Sequence, residues 1–255
     1  MQAQQGHSQA CCNVPPAVSK GYSPKGKYID LDGMKCYTTG PSHATSAIFI
    51  IYDIFGFSDQ ALQGADILAH ADAESGHEYQ VFIPDFFLGK PLTHNDYPPD
   101  TEEKKKTVGA FFGDRRRRPI MRKKKVPGLR KAIEKQCSGI QKWGSLGMCW
   151  GGKIVSLTAQ PGTNFSAAAE VHPAMVDPND AKGIKIPLCM LASKDEDPEA
   201  VKAFGEALTV PSHIETFSDQ VHGWMAARGD LENEKVKKEY ERGYQVLLNF
   251  YHEHL

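Results

Sequence analysis

The stretch 147-GMCWGG-152 sets a cysteine inside a Gly-x-Cys-x-Gly frame, with a further glycine behind it. Glycines so placed either permit a sharp turn that presents the thiol, or make room for a small core cysteine where a helix packs closely on a strand. The flanking residues bear on the choice. Positions near 140–148 read as a strand, and Gly152 to Gln160 read as a helix stopped by Pro161-Gly162. A cysteine between a strand and a helix has the context of a nucleophile elbow, with sulfur in place of the usual serine oxygen. Gly147 and Gly151 would then remove side chains where strand and helix crowd together. The helix behind Cys149 would favour a thiolate, and the backbone N–H of Trp150 would be the first donor to a developing oxyanion.

Outward from the elbow, strands and helices alternate. Toward the N-terminus, 27-KYIDLDGMKCYTTG-40 reads as a hairpin turning at Asp32-Gly33, 46-SAIFIIY-52 as a strand buried on both faces, and 79-YQVFIPD-85 as another strand. Between the last two, Leu62, Ala65, Leu68 and Ala69 have helical spacing over Asp59–Ala73. A helix is expected over 126–137. Beyond the elbow, strands are expected at 166-SAAAEV-171, 186-IPLCMLAS-193 and 212-SHIETF-217. Helices are expected from Pro198 to Leu208 and through the stripe Val236, Tyr240, Tyr244, Leu247 and Tyr251. This alternation predicts an α/β protein with a mostly parallel sheet covered by helices on both faces. Residues 90–125 break the rhythm with prolines and the runs Lys104–Lys106, Arg115–Arg118 and Lys123–Lys125. They read as an excursion from the sheet, a mobile surface segment or partial lid with a solvated basic face. We find no repeat and no linker, so the expectation is an N-terminal arm over 1–24 and one domain over 25–255.

Composition narrows the function classes. A formal charge of -1 over 255 residues argues against a chain built to hold nucleic acid. No apolar run approaches a membrane span, and the opening MQAQQGHSQACCNVPP has no apolar core of a secretory signal. A cytoplasmic protein with no membrane partner is expected. The six cysteines have no zinc-site spacing, and no metal or organic cofactor is expected. Adjacent Cys11 and Cys12 suit a partly ordered arm, or a redox pair.

A thiol nucleophile needs a base and an orienting acid. His222, in 219-DQVHGWM-225, follows the last expected strand; His172, in 171-VHPAM-175, is the rival at another strand end. The chain order nucleophile, acid, base favours His222. In 191-LASKDEDPEA-200, Asp197 precedes Pro198 and suits a helix N-cap, which leaves Asp195 to orient the imidazole.

Cys149 in GMCWGG, Asp195 in SKDED and His222 in VHGW, with 53-DIFG-56 after the first central strand, resemble the dienelactone hydrolase family from about residue 25 onward. The Cys-Cys-Asn-x-Pro-Pro opening is similar to a eukaryotic, fungal- and plant-type branch. The resemblance implies an α/β-hydrolase fold without a large cap and a Cys149–His222–Asp195 triad. It also implies an acidic residue, here Asp53, that controls ionisation of the thiol, and an oxyanion donor at the Ile54 N–H. The family's glutamate is shortened to Asp53. The arginine expected four residues after the histidine is Ala226, with Arg228 nearest, which removes the clamp for an anionic dienelactone. Phe55, Phe86, Phe87, Trp150, Trp224 and His172 are candidate pocket walls for an apolar acyl or lactone group; the aromatics suit the core equally. The function expected is hydrolysis of lactones or small carboxylic esters through a thioester, by a monomer or homodimer. The other readings are a low-turnover binding or stress-response protein and a redox sensor that retains the triad.

Overall fold

The computed structural model describes residues 21–71 and 78–255; Cys11, Cys12 and most of the 1–24 arm lie outside the described residues. Eight strands form one sheet in the order β1-β2-β4-β3-β5-β6-β7-β8. The hairpin comprises β1 (Lys27–Leu31) and β2 (Met34–Thr39), and it closes at Asp32 and Gly33, both with positive φ. That turn geometry matches the twist of the paired strands. β2 runs antiparallel to β4 (Tyr79–Pro84). From β4 across the sheet, all neighbours are parallel: β3 (Ser46–Ile51), β5 (Lys142–Met148), β6 (Ala167–Val171), β7 (Leu188–Ser193) and β8 (Ser212–Phe217). β3, β6 and β7 are apolar almost throughout because both of their faces are covered.

Eight α-helices lie among the described residues: α1 (Asp59–His70), α2 (Glu102–Gly113), α3 (Pro119–Arg122), α4 (Val126–Gln136), α5 (Trp150–Thr158), α6 (Pro178–Ala181), α7 (Pro198–Ala207) and α8 (Glu234–His254). Strand β5 shows how they divide between the faces. A Cβ on Gly144 would strike Tyr251 of α8, and a Cβ on Gly147 would strike the Gly151 carbonyl of α5. Residues three apart on a strand point to opposite faces, so α8 and α5 cover opposite sides. α1 shares the α8 side, where Gly64 lies under the Tyr244 ring.

The segment 90–125 leaves the sheet and lies at the surface, as expected, but it has a regular structure that was not expected. It is largely helical. Thr101 caps α2 by accepting the Lys104 N–H at 3.2 Å, and Val108 and Phe111, one helical turn apart, are buried. The charge runs around that apolar pair masked it. α3 packs on α5, and the Arg117 carbonyl accepts the Trp150 indole N–H at 3.0 Å.

A buried carboxyl lies beneath α5. Glu170 of β6 is 1% exposed and accepts the Ser156 hydroxyl at 2.5 Å. Burial, assisted by Asp180 and opposed by the Ser156 bond and Lys153, pushes it up from 4.5 to about 8. A carboxyl raised on folding gives stability that is fully present below its unfolded value and is lost as pH rises through its folded one. The native chain should therefore weaken between about pH 4.5 and 8 relative to Glu170→Gln, by up to about 1.4 kcal/mol per pH unit. Urea unfolding of both proteins across that window checks this; parallel curves would contradict it.

Candidate active site

The sheet reverses its order of addition at β3, with β4 on one side and β5 on the other. A crevice opens at such a point, outside the carboxyl ends of the strands. Cys149 occupies it as the residue between β5 and α5. Its φ is 53° and its ψ is -113°, a strained conformation for a residue with a side chain. Three backbone hydrogen bonds hold it there. The Cys149 N–H donates to Val171 O at 3.1 Å, and its carbonyl accepts from Gly152 at 3.0 Å and from Ala174 at 2.9 Å. Gly151 has no room for a side chain, since a Cβ would lie 2.0 Å from Ile51 O, and the same holds for Gly147 against Gly151. The glycines therefore bring α5 onto the ends of β3 and β5, as the elbow reading expects. The Trp150 N–H opens α5, among the donors that have no intrahelical acceptor.

His172 and Cys149 leave the sheet side by side, because Met148 is registered with Val171. The His172 ring lies 5.4 Å, centroid to centroid, from that of His222. His222 is buried in the loop after β8, with Nδ1 at 2.6 Å from Glu196 Oε1. A carboxylate is an acceptor, so the imidazole proton sits on Nδ1 and leaves Nε2 as the basic nitrogen. Glu196 is held in turn by the Ser193 N–H, and by the Ser193 hydroxyl at 3.2 Å.

The imidazole partner is thus Glu196, not the expected Asp195. Asp195 Oδ2 accepts the backbone N–H of His222 at 2.7 Å, while the Asp195 N–H turns back to Ser193 Oγ at 3.2 Å. That turn directs the shorter side chain at the histidine's main chain and lets the longer one reach the ring. Asp197 caps α7 as expected, accepting the Glu199 N–H at 3.0 Å. Among three adjacent acids the choice depended on the turn's geometry; the only sequence signal was the extra methylene of Glu196.

Asp53 and Ile54 follow β3 on the other side of the crevice, and both are buried. Asp53 accepts the Phe55 N–H at 2.8 Å and the Ala227 N–H at 3.3 Å, joining the β3 exit to the His222 loop. Capping of α1 falls instead to Ser58, which accepts the Ala61 N–H at 3.3 Å. Burial pushes the Asp53 carboxyl up from 3.8 to about 6, against the pull of the Phe55 N–H, Arg228, the Ala227 N–H and His222. Ala226 is buried, but Arg228 returns a guanidinium to this region: it is 5% exposed and lies 5.1 Å from the centre of the Phe55 ring. Sequence spacing had marked Arg228 only as the nearest arginine.

The candidate pocket walls separate into two groups. Phe55 and His172 stand beside Asp53 and His222. Phe86 and Trp224 are fully buried: Phe86 packs on Phe49, Tyr52 and also Trp150, and Trp224 packs on Phe217 at 4.4 Å and against Gly243 of α8. Trp150 packs on Phe87, with ring centroids 4.8 Å apart and planes tilted by 47°. No cluster of His, Cys, Asp and Glu suited to a metal ion occurs among the described residues, nor any helix long and apolar enough to cross a membrane.

The chain as a whole is similar to known proteins. An uncharacterized AIM2 family protein of Schizosaccharomyces pombe is 37% identical over 252 residues, spanning 95% of this chain and 98% of its own. A carboxymethylenebutenolidase homolog of Homo sapiens is 27% identical over 212 residues, 80% of this chain and 81% of its own. The crystal structure of a dienelactone hydrolase from Anabaena variabilis superposes with a TM-score of 0.62 at 12% identity, covering 92% of this chain and all of that one. It shares the α/β-hydrolase fold. The sequence profile of the dienelactone hydrolase family matches residues 34–255, and the chain belongs to that family of hydrolases.

Proposed function

We propose that the protein hydrolyses lactones or small carboxylic esters through a thioester on Cys149, with His222 as base and Glu196 as the carboxylate that orients it. One observation carries the reading: a buried imidazole, held on a carboxylate through Nδ1, packs on His172, which leaves the sheet beside the strained cysteine elbow. Cys149 gives its proton to His222 Nε2, and the sulfur attacks the ester or lactone carbonyl. The N–H groups of Trp150 and Ile54 stabilise the oxyanion. As the tetrahedral intermediate collapses, the C–O bond breaks and the imidazolium returns its proton to the leaving oxygen. Water, deprotonated by His222, then attacks the thioester; the thiolate leaves and regains a proton, and the acid is released. Hydrolysis of p-nitrophenyl acetate by the native chain, and its loss in Cys149→Ser, test the assignment. Equal rates would refute it.

Asp53 has a separate role in this reading. An ionised carboxylate beside the crevice disfavours a second anion on sulfur, and Asp53 is ionised only above about pH 6. Asp53→Asn should quicken alkylation of Cys149 by iodoacetamide at neutral pH by about tenfold, the effect of a one-unit fall in thiol pKa. If Asp53 merely ties the Phe55 and Ala227 N–H groups, the variant will unfold at a lower temperature with an unchanged alkylation profile.

A further inference from the structure

The helical excursion over 90–125, with the end of the loop after β4, builds a cavity of about 380 Å³. Five cationic side chains line it: Lys90, Arg116, Arg117, Arg122 and Lys125. The only carboxylate in its wall is Asp114, and that is already engaged. Arg116 grips it with two nitrogens, at 3.0 and 3.2 Å on one side of the fork and 3.0 Å on the other, and Arg117 approaches it at 3.7 Å. No acidic partner within ion-pair distance accompanies Lys90, Arg122 or Lys125 among the described residues. The whole chain carries a formal charge of -1, so this concentration is local.

Cations crowded into a concave site repel one another and lose hydration. Arg122 shows the cost most clearly. Its Nε is buried without a hydrogen-bond partner, and burial pushes its guanidinium below the usual range. An anion in the cavity would relieve both. One carboxylate needs one or two such partners; Lys90, Arg122 and Lys125, the three not paired with Asp114, suit a group with several charged oxygens.

The cavity also adjoins the catalytic elbow. Phe87, part of its wall, packs at 4.8 Å and a tilt of 47° on Trp150, the residue after Cys149, and the carbonyl of Arg117 accepts the Trp150 indole N–H. Its remaining apolar wall is Leu88 and Met121, both exposed. A ligand with a charged end and an apolar body matches that lining.

We propose that this cavity binds a phosphate-class polyanion, the remote handle of a substrate whose ester or lactone carbonyl is presented to Cys149. The substrate class is then a phosphorylated acyl ester or lactone. The assignment of the handle rests on the hydrolase reading above; the binding site does not. Recognition far from the reacting carbonyl lets binding energy position the acyl group.

Calorimetric titration of the full chain with inorganic pyrophosphate tests the site. Saturable binding that weakens as salt is raised is expected, and Lys90→Gln with Lys125→Gln, two exposed positions, should weaken it by at least about tenfold with an unchanged unfolding temperature. Arg122→Gln should do the same. No binding by the native chain overturns the proposal. So does binding to phosphatidic acid vesicles without binding to pyrophosphate, which would assign the cavity to a lipid headgroup on a membrane surface. For the handle, the phenyl ester of an ω-phosphono fatty acid is compared with its uncharged counterpart. The phosphonate should have a KM lower by about tenfold, and pyrophosphate should inhibit it competitively. Equal KM values, with pyrophosphate still bound, overturn the handle. If pyrophosphate binds but neither ester is hydrolysed through Cys149, the hydrolase reading fails while the anion site stands.

Discussion

Cys149→Ala is expected to hydrolyse p-nitrophenyl acetate at least ~10³-fold more slowly than the native chain, the scale of losing a nucleophile. The fold should survive. Alanine keeps the Cβ that the elbow already accommodates and removes only the sulfur, while Gly147 and Gly151 preserve the close contact of α5 with the strand ends. Cys149→Gly separates chemistry from strain. Glycine tolerates a φ of 53°, so this variant should be equally inactive yet more stable than Cys149→Ala by about 1 kcal/mol. Steady-state kinetics and urea unfolding on the three proteins check both parts. Retention of a tenth of the native rate in either variant would remove Cys149 from its role.

The second large effect concerns the two neighbouring acids. Glu196→Gln should lower kcat by about 10³- to 10⁴-fold, because an amide no longer stabilises the imidazolium and can impose the wrong tautomer on His222. Asp195→Asn keeps a side-chain oxygen for the His222 backbone N–H and should retain activity within about tenfold. The reverse order would restore Asp195 as the orienting acid and show that the ring's partner changes during turnover.

That pair also shows what can be read from the sequence and what cannot. The sheet was legible because β3 and β7 are short apolar runs buried on both faces, and because the β1–β2 hairpin alternates about the Asp32-Gly33 turn. The elbow was legible for a stronger reason: a strained residue needs glycines at fixed offsets, and fixed offsets survive in one dimension. The acid was not, since three adjacent carboxylates differ only in the direction a turn gives them. Helix α2 was hidden by charge, with Val108 and Phe111 as its buried contacts in a segment otherwise rich in lysine. Whether Phe86 and Trp224 face the crevice or the core was open in the sequence, and both are fully buried, Phe86 against Tyr52 and Trp150 and Trp224 against Phe217. Arg228 entered the site through a loop whose path spacing alone does not fix.

The central claim is that the acyl group of the substrate is carried on one sulfur. The direct measurement is peptide mapping by mass spectrometry of protein quenched in acid within the first turnover of p-nitrophenyl acetate. An acetyl group should be found on the peptide containing Cys149, absent from Cys149→Ala and persisting longer when His222 is replaced by glutamine, since deacylation needs the base. An acetyl group on another residue, or product formed at the native rate with Cys149 never modified, would contradict the account.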